Sequence, residues 1–214
     1  MIPFINIHTH QKQIDSEIIS ITNQYPNDFD NTILYYSIGI HPWFIKDKLL
    51  EAEFSILNTV LATKNCLALG ECGLDKLTNT SFELQKTVFS KQLTLTKKYN
   101  KPVIIHCVKA FDELIQFKKQ FPEVKMIIHG FTKNNKLAKQ LQNQGFYLSF
   151  GKQLLKNDTL LTGIDMSKLF FETDDALVDI KTIYKAAAKQ LNVSLPKLKK
   201  QVYKNFKAVL SDEY

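Results

Sequence analysis

The chain has 214 residues, 44% hydrophobic and 23% charged; this is enough to bury one substantial core, and no apolar run reaches membrane-spanning length. Its formal charge is +7, from 28 basic against 21 acidic residues, which favours anionic partners, although a solvated lysine-rich surface gives the same number. Every basic residue is a lysine, so bidentate guanidinium forks are excluded and any phosphate must be met by lysine point charges and backbone donors.

Taken in chain order, short apolar runs typical of strands buried on both faces alternate with longer stretches of helical period. Strands are expected at residues 4–8, 17–22 and 33–40. The first connection, 11–16, allows at most a turn, and the second, 23–32, carries Pro26 and Asn-Asp punctuation. Strict alternation then begins: helix 47–63, strand 66–71, helix 81–99, strand 102–106, helix 110–120 and strand 125–129. It continues with helix 134–143, strand 146–150, a helical turn at 157–162, strand 169–173, helix 179–191 and a last helix over 195–210. Asp47 and Ser81 are expected N-caps, and Gly145 ends a helix just before a strand. Eight strands with mostly helical crossovers favour a compact (β/α)8 TIM-type barrel over an open doubly wound sheet, with the first one or two helices shortened or missing. No repeat, low-complexity tract or linker marks a boundary, so 1–214 reads as a single domain.

Cys66, Cys72 and Cys107 form no CxxC pair and sit in apolar runs. They read as buried small hydrophobes in a reducing compartment, and the chain as a cytoplasmic protein without membrane association.

The placement of the polar residues carries the function. All five histidines fall at the C-terminal ends of expected strands. His8 ends the first and His10 follows two residues on; His41 follows the third, His106 ends the fifth and His129 the sixth. Glu71 ends the fourth strand and Asp174 follows the eighth. In a parallel barrel these strand ends share one face, where active sites are built. Each residue alone has an ordinary structural reading, but imidazoles and carboxylates around one mouth suit divalent ions such as Zn, Mn, Fe or Ni. In His8-Thr9-His10 the two-residue period of an extended chain puts both imidazoles on one face, able to grip one ion. His41, in Gly39-Ile40-His41-Pro42-Trp43, reads as a substrate-side group, and Asp75 as a residue that orients its neighbours or caps the following loop.

In this order the motifs resemble the TatD family of metal-dependent hydrolases. The matching pieces are His8-Thr9-His10, Gly39-Ile40-His41-Pro42, Gly70-Glu71-Cys72-Gly73-Leu74-Asp75 and Pro102-Val103-Ile104-Ile105-His106-Cys107. Ile128-His129-Gly130-Phe131, Glu172-Thr173-Asp174 and a C-terminal Asn205-Phe206 followed by Leu210 complete them. The resemblance implies a (β/α)8 fold with up to two or three divalent ions, of which two divalent metal ions (Mg, Zn or Mn) are expected here. His8, His10 and Asp174 would hold one, His106 and His129 the other, with Glu71 bridging and Asp174 helping to deprotonate the attacking water. Glu71 and Asp174 are thus the catalytic pair. The implied activity is phosphodiester hydrolysis, a deoxyribonuclease of 3′ exonuclease type acting on DNA as a monomer. The alternative is a small-molecule amide, lactone or phosphoester hydrolase using the same metals. Gln11 and Lys12 after His-x-His, and Asp175-Ala176-Leu177 after Glu-Thr-Asp, depart from the family pattern and trim the rim that would hold a strand. Lys109, Lys133, Lys152, Trp43 and Phe131 are the candidates there for phosphate contact and base stacking.

Overall fold

The computed structural model describes residues 2–12 and 15–210. Eight strands stand in chain order in one sheet: β1 (Phe4–Thr9), β2 (Ile18–Gln24), β3 (Tyr36–Ile38), β4 (Cys66–Asp75), β5 (Val103–Val108), β6 (Met126–Ile128), β7 (Phe146–Phe150) and β8 (Leu169–Phe171). Six helices accompany them: α1 (Leu50–Val60), α2 (Phe82–Tyr99), α3 (Phe111–Gln120), α4 (Asn135–Asn143), α5 (Ile180–Gln190) and α6 (Leu195–Leu210). Thr9 and Asp174 form a parallel bridge that joins the first strand to the exit of the last. The fold is the expected (β/α)8 barrel with its early helices reduced. Among the described residues no helix joins β1 to β2, and only a 3-10 turn at Pro26–Asp28 stands between β2 and β3.

The chain divides into two compact units, residues 1–22 with 128–214, and residues 23–127. In the first, β1 pairs with β2 from Phe4↔Ile18 to Thr9↔Thr22, and β7 pairs with β8. Tyr184 on α5 is fully buried; its hydroxyl accepts from Ile5 N at 3.1 Å and donates to Ile5 O at 3.0 Å. Buried Asn205 on α6 donates to the carbonyls of Met166 and Leu169 at the entry to β8. In the second unit, β4 pairs with β3 on one side and β5 on the other. Two buried amides on one face of α2 fasten the strand exits there. Gln92 exchanges two hydrogen bonds with the backbone of Ile40, and Gln85 accepts from Asp75 N and donates to Asp75 O.

Several local expectations are corrected. β3 spans three residues, because Asp30 turns the preceding chain by accepting from Thr32 N and leaves Leu34 64% exposed. β4 runs on to Asp75 through two glycines of positive φ, 135° at Gly70 and 143° at Gly73, where a Cβ would overlap the carbonyl oxygens of Ile104 and His106. The helical turn after β7 lies at Lys152–Leu155 instead of 157–162. Asp47 starts its 3-10 turn with Lys46 as cap, and Ser81 holds the cap position of α2 without a side-chain bond. Gly145, φ 88°, does end the turn after α4. Cys66 and Cys72 are fully buried, whereas Cys107 is partly exposed.

Candidate metal centre

In the first unit the exits of β1 and β8 come together at the Thr9–Asp174 bridge. Asp174 N donates to His8 O at 3.1 Å and His10 N to Asp174 O at 3.0 Å. Asp174 takes a left-handed conformation, φ 53°, which aspartate tolerates better than most side chains. Its Oδ1 lies 3.5 Å from His8 Nε2 and 3.4 Å from His10 Nε2. Burial alone would raise the Asp174 carboxyl, but hydrogen bonds from His10 and His8 and the charges of His8 and His129 outweigh it. The group is held well below the usual carboxylate range. The donor atoms of His8, His10 and Asp174 all lie within 4.8 Å of one another, as do those of His129, Glu172 and Asp174.

Glu172 was not singled out as a site residue by the sequence. It is 1% exposed; its Oε1 accepts from Gly130 N at 2.7 Å and lies 3.5 Å from His129 Nδ1, and its Oε2 accepts no hydrogen bond. The signal was available: Glu172 and Asp174 repeat at the end of β8 the two-residue spacing of His8 and His10. A buried hydrogen-bond network supports this corner. Asn6, fully buried, accepts from Thr173 N at 3.0 Å and donates to Thr173 Oγ1, which reaches Thr9 Oγ1 at 2.9 Å.

In the second unit Glu71 is the hub. Its Oε1 lies 3.1 Å from His41 Nε2 and 3.0 Å from His106 Nδ1, and its amide donates to Asn23 Oδ1. Trp43 N donates to His41 Nδ1 at 3.2 Å, so the Nε2 of a neutral His41 carries the proton towards Glu71. On its other side His106 presents Nε2 to Asp75 Oδ2 at 3.1 Å, and that same oxygen accepts from the Trp43 indole at 2.7 Å. Burial would raise the Asp75 carboxyl, but bonds from the Trp43 indole and the Leu77 amide, with His106 alongside, bring it below its ordinary value. A carboxylate behind a ligating imidazole is a common way of fixing ring orientation. The donors of His41, Glu71 and His106 also lie within 4.8 Å of one another. His41 therefore belongs geometrically with Glu71 and His106, beside the substrate role expected of it.

Both clusters fit a divalent ion. The donors are imidazole nitrogens and carboxylate oxygens, the set that borderline divalent ions take, and the buried Glu172 Oε2 has hydrogen-bonding capacity in reserve. Of the rim candidates, Trp43 is 54% exposed and Lys109 and Lys133 are exposed, while Lys152 pairs with Asp175 at 2.8 Å. Phe131 is corrected: it is 3% exposed, its ring packed edge-on against Phe150, so it offers no stacking face.

The fold is a (β/α)8 barrel whose strand exits carry clusters able to hold divalent ions. The model of the family described as TatD related DNase matches residues 2–211, and the chain belongs to that family. An "uncharacterized metal-dependent hydrolase" of Haemophilus influenzae is 29% identical over 76% of this chain and 65% of its own length. The YabD hydrolase of Bacillus subtilis is 32% identical over 66% of this chain and 58% of its own. A protein of Enterocytozoon bieneusi named as a proposed deoxyribonuclease, a TATDN1 homolog, is 32% identical over 70% of this chain and 58% of its own. The chain thus spans roughly three fifths of these relatives. The solved structure of YjjV from Escherichia coli matches with a TM-score of 0.82 at 20% identity, covering 97% of each chain. A TatD family hydrolase from Entamoeba histolytica matches at 0.81 and 17%, covering 99% of each. These structures share the fold.

Proposed function

We propose that the chain hydrolyses phosphodiesters of DNA, working inward from a 3′ end, with two divalent ions. The carrying observation is the convergence of His8, His10 and Asp174 at strand exits, supported by the family membership and the lysine-derived positive charge. In the first unit His8, His10, His129 and Asp174 would be ligands; in the second, Glu71 and His106. When bound, such ions lower the pKa of coordinated water and neutralise charge on phosphoryl oxygens.

The chain's own groups do the rest. Asp174, partly exposed beside His8 and His10, would take up the proton of the attacking water. Glu71 holds His41 and His106 in register, and Asp75 fixes the His106 ring from behind. Surface lysines draw the polyanion electrostatically, since no guanidinium fork is available. His41→Asn tests the substrate role of that residue: a raised KM at unchanged metal content supports it.

The decisive experiment presents single-stranded DNA labelled at either end to the protein loaded with Mg2+, Mn2+ or Zn2+, with a lactone and a simple phosphoester in parallel. Stepwise shortening from the 3′ end is expected, abolished by chelator and in Glu71→Ala. Turnover of the small substrates with intact DNA would replace this reading with that of a small-molecule hydrolase.

A further inference from the structure

Beside the Glu71 cluster lies a cavity of about 220 Å³, lined among others by Tyr25, Asn27, His41, Phe44, Lys46 and Glu53. It is smaller than the pockets of roughly 300–1,000 Å³ that enclose drug-sized ligands, and of the scale of a single ring system. Its residues come from the exits of β2 and β3 and the first turn of α1. His41 belongs to its wall and also contacts Glu71, so the cavity and the Glu71 cluster adjoin across one side chain within one unit.

Two features set it apart from a packing gap. Glu53 is 3% exposed, yet no lysine among the described residues pairs with it; Asn27 donates to its Oε1, and its Oε2 accepts no hydrogen bond. Burial, only partly offset by Asn27 and by the charge of Lys46, pushes its pKa up. Phe44 is 49% exposed, although its ring meets Tyr25 at 5.3 Å and His41 at 5.4 Å. A buried acceptor with unused capacity and a half-bare aromatic face are both unfavourable in the empty protein. A planar ligand with a hydrogen-bond-donating edge would satisfy both, stacking on Phe44 and donating to Glu53.

We propose that this cavity is a base-recognition subsite for the donor edge of guanine, with Glu53 as the specificity-determining residue and Lys46 meeting an adjoining phosphate. Guanine presents N1–H and N2–H side by side, which can reach both oxygens of one carboxylate. Thymine offers a single N–H flanked by carbonyls that a carboxylate repels, whereas adenine and cytosine each pair an amino donor with a ring-nitrogen acceptor. The subsite deepens the nucleic-acid reading above and rests on it for its place in catalysis.

The test uses the metal-free chain and reads binding alone. Deoxyguanosine monophosphate and thymidine monophosphate carry the same phosphate, so their difference reports the base. Binding is followed by calorimetry and by the fluorescence of Trp43, the only tryptophan. Deoxyguanosine monophosphate should bind about tenfold tighter or better, with the preference collapsing in Glu53→Gln and both affinities falling together in Phe44→Ala. Equal binding of the two nucleotides overturns the proposal, as does a guanine preference that survives in folded Glu53→Gln. If that variant fails to fold, the wild-type comparison and Phe44→Ala still decide. Base preference without DNA hydrolysis by the metal-loaded protein overturns the nuclease reading alone; hydrolysis without base preference overturns the subsite alone.

Discussion

Replacing Asn6 with alanine probes the link between barrel closure and metal binding. Asn6 lies two residues before His8 on β1 and four before His10, and its side chain makes two hydrogen bonds to Thr173. Truncation strands the buried Thr173 N–H, at about 1–3 kcal/mol, and removes a second bond of about 0.5–1.5 kcal/mol. The sum is roughly 1.5–4.5 kcal/mol, which for a chain of this size lowers Tm by about 3–18 °C. Thr173 precedes Asp174 and also bonds Thr9, so the loss should relax Asp174 against His8 and His10 and weaken metal binding about 10–100-fold. Circular dichroism melts in chelator read the first effect, and Mn2+ calorimetry on the folded variant reads the second. A Tm that does not move, or a destabilised variant with undiminished metal affinity, would refute the coupling.

Asp75→Asn should lower metal affinity about 10–100-fold through loss of the carboxylate behind His106, read by metal titration and Trp43 emission. Because the folded pKa of Asp75 is depressed, the unfolded chain takes up the proton first. The stability it contributes is full above the unfolded value of about 3.9 and is lost as pH falls towards the folded one; melts of the metal-free protein from pH 6 to pH 3 should fall less steeply in Asp75→Asn. Burial pushes the Cys66 thiol up to about 12 and, with the Glu71 charge, raises Cys72 well above its ordinary value. The native protein should therefore expose only Cys107 to a thiol reagent, and all three cysteines once unfolded. Gly73→Ala forces a Cβ onto the His106 carbonyl at φ 143°, and thermal melts should show a loss of at least about 1–3 kcal/mol.

Where burial was two-sided and continuous, the sequence was easy to read. β7 and α6 fall at their expected bounds, because nothing competes with Phe146–Phe150 as a buried strand or with the apolar stripe of α6. The length of β4 was not legible. Gly70 and Gly73 look like punctuation in the sequence, whereas in the fold they allow the backbone of β5 to approach closely. Phe131 failed as a rim residue because nothing local distinguishes a ring turned inward against Phe150 from one turned outward. Position at strand ends picked out the histidines. It could not reveal that the neighbours Asp75 orients are His106 and Trp43, or that Gln85 and Gln92 fasten the strand exits from α2, since those contacts depend on how elements distant in sequence pack.

The unit that carries His8 and His10 is discontinuous, drawing on both ends of the chain, whereas residues 23–127 form theirs from one uninterrupted stretch. On the ribosome, Thr9 emerges 165 residues before Asp174, its bridge partner. At about 5–20 residues per second that interval is roughly 8–33 s, during which His8 and His10 are present without the carboxylate that completes their cluster. The inner stretch has the residues of its own contacts within the consecutive positions 23–127, all made before His129 emerges. Capture of an ion at His8, His10 and Asp174 together is thus possible only once Asp174 has emerged, so that cluster cannot assemble while the intervening residues are still being translated.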